Sequence, residues 1–170
     1  MTRLDVLDVR LLELLTAEPR LGVLEASRRL GVARGTVQSR LDRLLAGGVV
    51  ASLAPTLDPS ALGFGVTAFV TLEIRQATGH APVRQHLSAI PEVLEAHTIT
   101  GSGDVLARVV ARSNADLQRV LDLITGSAEV ERASSVIALA TEIPARVLPL
   151  LRATQDDGGE PRTAASELTG

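Results

Sequence analysis

The chain has 170 residues, of which 45% are hydrophobic and 22% charged, with a net charge of −3; this is the composition of a globular protein with one ordinary domain or two small ones. It contains no cysteine, which excludes disulfides, thiolate nucleophiles and cysteine-based zinc sites. Trp and Tyr are absent and there are two Phe, so base stacking on aromatic side chains is not the expected mode of recognition.

The opening stretch and the apolar runs bear on where the protein works. No apolar run approaches the ~18 residues that a membrane-spanning helix needs. The first segment carries acidic residues through its apolar part and has no small-residue cleavage site, unlike a secretory signal. We therefore expect a cytoplasmic location.

Three helices are predicted in the first part of the chain. Leucines at helical spacing run through 4–15 and end before Pro19, a second helix covers 23–30 and stops at Gly31, and a third begins near Arg34. The third helix carries an apolar stripe made of Val37, Leu41 and Leu44. Three short helices with a tight break between the second and third predict a helix-turn-helix.

The pattern changes after a segment rich in Pro and Gly. The elements predicted there are a strand at 66–74, a helix at 81–90, strands at 93–100 and 104–111, a helix that Ser113 begins and Leu123 ends, and a strand at 130–143. The order β-α-β-β-α-β is the ferredoxin-like arrangement, an antiparallel sheet with helices on one face. The fold class is therefore α+β, an N-terminal (winged) helix-turn-helix domain followed by a ferredoxin-like domain.

These elements predict five segments. They are a helix-turn-helix domain (1–52), a hinge (53–65), a ferredoxin-like domain (66–143), a short C-terminal helix (144–154) and a disordered tail (155–170).

The charge is distributed unevenly between the two parts. Residues 1–54 contain eight Arg and six acidic residues, a net charge of +2, whereas residues 55–170 contain nine Arg and fourteen acidic residues, a net charge of −5. A basic head joined to an acidic module favours DNA binding by the head. Charge alone does not distinguish this from a solvated helix face.

From Leu4 to Ile143 the chain resembles the Lrp/AsnC (feast/famine) family of bacterial and archaeal transcription regulators. The resemblance rests on "LDVLDVRLLELLTAEPR", "LGVARGTVQSRLDRLLAGGVV", "LGF", "VTAFVTLEI" and "TGSGDVLARVVARS", in that order. It implies a DNA-binding regulator whose second module dimerises and binds a small-molecule effector, usually an amino acid. It also implies binding to double-stranded DNA at a roughly palindromic operator, by a homodimer that can assemble further to a tetramer or octamer.

The third helix supplies the candidate DNA contacts. With its apolar stripe buried, the residues expected near bases are Arg34, Thr36, Gln38 and Ser39, and those expected near phosphates are Arg40 and Arg43. The chain departs from the family at the helix cap, where Ala33 replaces the common Ser, and at Ala26-Ser27, where Leu-Ala is common. These departures leave the operator sequence open.

The glycine-rich stretch "ITGSGD" (99–104) begins like a dinucleotide-binding fingerprint, but Leu106 replaces the third glycine and a strand follows instead of a helix. The local pattern therefore predicts a hairpin connection with a glycine at positive φ. The resemblance implies that this loop also receives the effector, with backbone N–H groups on a carboxylate and Asp104 on an ammonium group. The candidate effector-binding residues are Gly101, Ser102, Gly103 and Asp104, with Ser134 and Ser135 on the last strand. The family often has an aromatic residue where this chain has Gly103.

No catalytic or metal-binding motif stands out. His80, His86 and His97 do not have metal-ligand spacing, and there is no nucleophile elbow. We expect no cofactor, no metal and no enzymatic activity. Two alternatives stay open at this point: an enzyme like the siroheme decarboxylases that resemble this family in fold, and an effector-free architectural DNA-binding protein.

Overall fold

The computed structural model describes residues 4–75 and 79–156. The helices and strands of these residues are α1 (Val6–Ala17), α2 (Val23–Leu30), α3 (Arg34–Ala46), β1 (Val66–Ile74), α4 (His80–Ser88), β2 (Val93–Thr98), β3 (Val105–Ala111), α5 (Asn114–Thr125), β4 (Val130–Ala138) and α6 (Leu148–Asp156). The chain forms two compact units. The first, here called the head, runs up to Pro55 and resumes at Pro144; the second, here called the sheet unit, is Thr56–Ile143.

A capping box begins the first helix of the head. The Asp5 carboxylate accepts hydrogen bonds from the N–H groups of Leu7 and Asp8, both at 2.9 Å. In return, Asp8 Oδ2 accepts the N–H of Asp5 at 3.0 Å. This reciprocal pairing satisfies N–H groups that a helix start otherwise leaves open. The helix ends at Ala17, two residues before Pro19.

The turn between α2 and α3 has the geometry that the sequence predicts for a helix-turn-helix. Gly31 closes α2 with φ 69°, a left-handed conformation that glycine adopts without a Cβ penalty. Ser27, one turn earlier, is buried and donates its hydroxyl to Leu24 O at 2.8 Å. Ala33 caps α3 and, as expected of alanine, gives it no side-chain hydrogen bond.

The core of the head joins all three N-terminal helices. Its fully buried members are Leu11, Ala26, Val37 and Leu44. The predicted stripe of α3 is confirmed, since Val37, Leu41 and Leu44 are all buried. Between α3 and β1, residues 47–65 hold turns and bends and no strand, so no paired wing follows the third helix there.

The C-terminal helix returns to the head. α6 packs beside α1, where Leu148 and Leu151 are half-buried and Arg152 Nε lies 2.7 Å from Glu13 Oε1. It begins at Leu148 and ends at Asp156, whereas the sequence predicts a helix over 144–154. The predicted tail lies almost entirely outside the described residues, which end at 156.

The sheet unit is a four-stranded antiparallel sheet with the strand order β2-β3-β1-β4. Together with α4 and α5 this is the predicted ferredoxin-like fold. Alternate residues of β1 are buried on one face, namely Ala68, Val70, Leu72 and Ile74. Val70, Leu72 and Ile74 share a core with Val83 and Leu87 of α4 and with Val120 and Ile124 of α5, and Ala68 packs in a smaller cluster with Leu117 of α5. Both helices therefore cover the same face, and the opposite face of the sheet is open.

Two strands end earlier than the sequence predicts. β4 stops at Ala138 rather than 143, because its partner β1 has only Val66 beyond the pair Thr67–Ala138. β2 stops at Thr98 rather than 100, because the chain turns there toward β3. Of the helices among residues 4–75 and 79–156, none is long and apolar enough to cross a bilayer.

Candidate functional site

The outer side of α3 presents the candidate DNA contacts as two stripes. Five of the six predicted residues are exposed and one, Arg40, is half-buried. The first stripe contains Arg34 and Gln38, and Gln38 Nε2 donates to Asp42 Oδ1 at 2.9 Å. The second stripe contains Thr36, Ser39, Arg40 and Arg43. A cavity of about 510 Å³ lies against it, lined by Asp5, Gly35, Thr36, Ser39, Arg40 and Arg43.

Asp8 lies fully buried in the first turn of α1 and binds both arginines of the second stripe. Its Oδ1 is 2.8 Å from Arg40 Nη1 and 2.6 Å from Arg43 Nη2, and its Oδ2 is 2.7 Å from Arg43 Nη2. Arg40 Nη1 is also 2.6 Å from Asp5 Oδ2. These four residues, here called the acid–arginine cluster, connect the start of α1 to the outer side of α3.

The cluster keeps its acids charged. Burial raises the pKa of Asp8, but hydrogen bonds from Arg43, from the Asp5 N–H and from Arg40 outweigh it and hold the pKa below its ordinary value. Asp5 has a lowered pKa as well, chiefly because Arg40 donates to it. Neither acid is among the residues that the sequence predicts for this site. The signal that identifies them is the Asp-x-x-Asp spacing of a capping box before an apolar helix.

Most of the basic charge in 28–43 is neutralised within the head. Arg28 lies 3.5 Å from Glu25, and Arg29 forms ion pairs with Glu18 and Glu25. Arg40 and Arg43 belong to the acid–arginine cluster. Within this fully described stretch, Arg34 is the one arginine without an acidic partner, so it is the cation most available to an external anion.

The loop from Ile99 to Asp104 is a hairpin connection, as predicted, with Gly101 at φ 109°. The N–H of Ile99 donates to the Asp104 carbonyl at 3.0 Å, and the N–H of Asp104 donates to Leu72 O at 2.8 Å. Asp104 Oδ2 also accepts the N–H of Ile74 at 2.8 Å. The carboxylate expected to face an effector's ammonium group is therefore engaged with the end of β1.

Gly103 lies against β1 with no room for a side chain. A Cβ at this position would come within 2.3 Å of Thr71 Cγ2 and 3.3 Å of Leu72 O. Carbon atoms do not approach that closely, so any other residue requires Thr71 to move. Gly103 is thus matched to Thr71 on the neighbouring strand.

A cavity of about 410 Å³ on the open side of the sheet brings part of the predicted effector site together. It is lined by Thr71, Glu73, Ser102, Arg132, Ala133 and Ser134. Ser135 does not join it. Ser134 pairs with Thr71 on the open face, whereas Ser135 pairs with the buried Val70 on the face that the helices cover.

Four residues that line this cavity are not among the predicted site residues, and two of the four, Glu73 and Arg132, are charged. Glu73 and Arg132 pair across β1 and β4, and Arg132 Nη1 lies 3.8 Å from Glu73 Oε1. Side by side on an open face, they offer one negative and one positive partner to a zwitterion. Strand alternation places each on the polar side of its strand, but their pairing depends on the register between two strands distant in sequence.

The three histidines do not form one cluster: His80 and His97 both line a cavity of about 380 Å³ beside α4 and β2, and His86 is not part of it. His86 Nε2 is 2.9 Å from Leu123 O, which ties α4 to α5, and His97 Nε2 is 3.6 Å from Glu95. Among the described residues, no group of three or more His, Asp or Glu is placed to share a metal ion.

Two family models match this chain. Residues 4–45 match a family described as the AsnC-type helix-turn-helix domain, and residues 67–148 match one described as the Lrp/AsnC ligand binding domain. The matches fall on the head and on the sheet unit in the order that the fold shows.

The chain is also similar to individual proteins of this kind. The HTH-type transcriptional regulator Rv2324 of Mycobacterium tuberculosis is 32% identical over 143 residues, covering 84% of this chain and 97% of its own length. The solved structure of Escherichia coli AsnC has a TM-score of 0.80 at 26% identity, covering 87% of this chain and 100% of that one. A feast or famine regulatory protein of M. tuberculosis (Rv3291c) complexed with L-methionine has a TM-score of 0.76 at 30% identity, covering 85% and 98%.

Proposed function

Because this chain belongs to the Lrp/AsnC family of transcriptional regulators, we propose that it binds operator DNA through α3 and that a small-molecule effector modulates this binding. The observation that carries the proposal is on the outer side of α3, where Arg34 is exposed. Among the arginines of the fully described stretch 28–43, it is the one without an acidic partner. An exposed recognition helix with a free cation near its N-terminus suits the major groove of DNA.

The proposed contacts divide between bases and phosphates. Side chains near the start of the helix reach base edges, and side chains farther along reach the backbone. The proposed base contacts are Arg34, Thr36, Gln38 and Ser39, and the proposed phosphate contacts are Arg40 and Arg43. Two such helices in a homodimer would read half-sites about one turn of DNA apart in a roughly palindromic operator.

The open face of the sheet supports the proposed homodimer. It exposes apolar side chains that a monomer leaves in water, with Phe69 37% and Val136 64% exposed. Phe69 and Val136 are neighbours in the β1–β4 register. Adjoining exposed apolar side chains on the face of a sheet suit a protein interface. Assembly of dimers into tetramers or octamers is part of the same proposal.

The proposed effector is an amino acid or a related metabolite. The sheet unit matches the Lrp/AsnC ligand binding domain, and two solved relatives, one from Neisseria meningitidis and one from M. tuberculosis, are complexes with L-methionine. The proposed site is the cavity at Ser102 and Ser134; Ser102 lies on the same loop as the predicted residues Gly101, Gly103 and Asp104. Arg132 would bind the effector's carboxylate and Glu73 its ammonium group.

DNA binding is tested by the variant Arg34→Ala. Because Arg34 has no intramolecular partner to lose, we expect weaker binding to a duplex that the wild-type chain selects from a random pool. In a plot of the logarithm of affinity against the logarithm of salt concentration, the slope should become shallower by about one if Arg34 also neutralises a phosphate. Electrophoretic shifts over a salt series measure both quantities.

The matched control is Arg84→Ala, which removes the same charge from α4 in the sheet unit. It should leave both the affinity and the slope unchanged. Equal behaviour of the two variants would contradict the assignment of α3 as the recognition helix. Broad footprints at one protein concentration would indicate an architectural protein instead, and a tetrapyrrole absorbance band on mixing would indicate an enzyme.

Effector binding is tested by thermal-shift measurements with a panel of amino acids. A ligand that binds the folded state stabilises it by RT ln(1 + [L]/Kd), so the melting temperature should rise with concentration. Arg132→Ala should remove the shift, because the effector's carboxylate loses its partner. Arg132 is highly exposed, so the substitution leaves the core intact. Arg84→Ala, which should keep the shift, is again the control; a shift that survives Arg132→Ala contradicts this site.

A further inference from the structure

The two arginines of the acid–arginine cluster are held from one side only. Arg40 uses Nη1 for Asp5 and Asp8, and Arg43 uses Nη2 for Asp8. Within the described residues, the other terminal nitrogen and Nε of each guanidinium have no hydrogen-bond partner. Each planar cation therefore has one edge fixed by a carboxylate and other donors still open.

The same two arginines line a polar surface. The cavity of about 510 Å³ beside them is also lined by Thr36 and Ser39, whose side chains carry hydroxyl groups. Residues 36, 39, 40 and 43 lie on one side of a helix because they are three, four and seven positions apart. Guanidinium and hydroxyl donors on one surface match the oxygen atoms of a phosphate.

Asp8 brings the two cations together. A single atom, Oδ1, accepts from Arg40 at 2.8 Å and from Arg43 at 2.6 Å, so neither guanidinium can swing away without losing its bond to a buried carboxylate. A long side chain free in water loses rotamer entropy when it binds, and a side chain already held loses less.

Resting on the proposed DNA binding, we propose that Asp8 is a positioning residue: it fixes Arg40 and Arg43 as a pair that clamps one backbone phosphate at the surface formed with Thr36 and Ser39. The cluster contains two acids and two arginines and is neutral as a whole. The cluster therefore contributes to DNA binding through directional hydrogen bonds to a phosphate, which fix the position of the protein on the duplex, and not through long-range attraction. It holds α3 in the position where the base contacts can form.

This mechanism separates specificity from general affinity. Loss of Asp8's charge makes the head more basic, which strengthens binding to any DNA. The same loss frees the two arginines, so α3 is no longer held in the fixed position on the DNA that binding to the operator requires. A purely structural role of Asp8 would lower the folded fraction and reduce binding to all DNA equally.

The test compares Asp8→Asn with Glu13→Gln, which removes the same charge from the same helix without touching the cluster. Each is measured, after circular dichroism confirms folding, on the duplex that the wild-type chain selects and on an unrelated duplex of equal length. Asp8→Asn should lower the ratio of the two affinities about tenfold, as when a charge-assisted hydrogen bond is misplaced. Glu13→Gln should keep the wild-type ratio.

If Asp8→Asn does not fold, the variant Arg43→Lys tests the same proposal. Lysine keeps the charge, but its one ammonium nitrogen has to serve both Asp8 and the phosphate, and it lacks the separate edges and fixed plane of a guanidinium. For Arg43→Lys, the ratio of affinity for the selected duplex to affinity for the unrelated duplex should also fall about tenfold. The proposal is overturned if Asp8→Asn, or Arg43→Lys in its place, keeps the wild-type ratio. A wild-type chain that selects no duplex would overturn the proposed DNA binding itself, a distinct result.

Discussion

Leu44→Ala should destabilise the head by about 3 kcal/mol, the cost of removing a fully buried leucine and leaving a cavity. Leu44 is 0% exposed and packs in the core that joins α1, α2 and α3. A unit of this size has few kcal/mol of stability in total, so we expect a large unfolded fraction and loss of DNA binding. Urea unfolding followed by circular dichroism, with limited proteolysis of the head, measures the effect.

Leu24→Ala is the matched control for this prediction. It removes the same atoms from the neighbouring helix α2, but Leu24 is 50% exposed. We expect a change within about 0.5 kcal/mol, as is usual for surface positions. Similar losses of stability in the two variants would mean that the inner side of α3 does not face the core of the head.

Gly103→Ala should destabilise the sheet unit by about 1–3 kcal/mol, the range for overpacking a well-filled site. The added Cβ would come within 2.3 Å of Thr71 Cγ2, and because Thr71 is β-branched its side chain has few other rotamers to adopt. We also expect a weaker response to the effector, because Thr71 and Ser102 line the proposed cavity.

The cause of this loss can be isolated with Thr71→Ser, which deletes the clashing Cγ2 and keeps the hydroxyl. In the double variant the destabilisation by Gly103→Ala should largely disappear, giving a coupling free energy of opposite sign to the single effect. Gly65→Ala is the control, since a Cβ there meets nothing within 4 Å. Additive effects of Gly103→Ala and Thr71→Ser would contradict the close approach as the cause.

The elements of both units follow from local sequence patterns. Leucines at helical spacing, Gly31 at the break and Pro19 after the first helix are enough to predict three helices, because each signal acts within a few residues. The capping of α5 by Ser113 is confirmed in the same way, since Ser113 Oγ accepts the Asp116 N–H at 3.1 Å. Strand ends were predicted less well, because a strand stops where its partner stops.

The candidate sites follow from sequence only in part. The six α3 residues share the outer side of one helix, and periodicity is sufficient to place them there. The effector site joins a hairpin to a distant strand, so the grouping of Ser102 with Ser134, and the exclusion of Ser135, depend on the register of β1 with β4. A shift of one residue would reverse which serine faces the cavity.

The sequence by itself determined the family, the order of the elements and the helix that carries the candidate DNA contacts, because these depend on residue patterns that are local along the chain. Only the tertiary structure decided that Arg29, Arg40 and Arg43 bind acids outside their own helices, namely Glu18, Asp5 and Asp8. It also decided that Asp8 holds Arg40 and Arg43, and that Thr71 leaves no room for a side chain at Gly103. Ion pairs and close contacts act between atoms a few ångströms apart in space, and in a folded chain those atoms come from residues far apart in sequence.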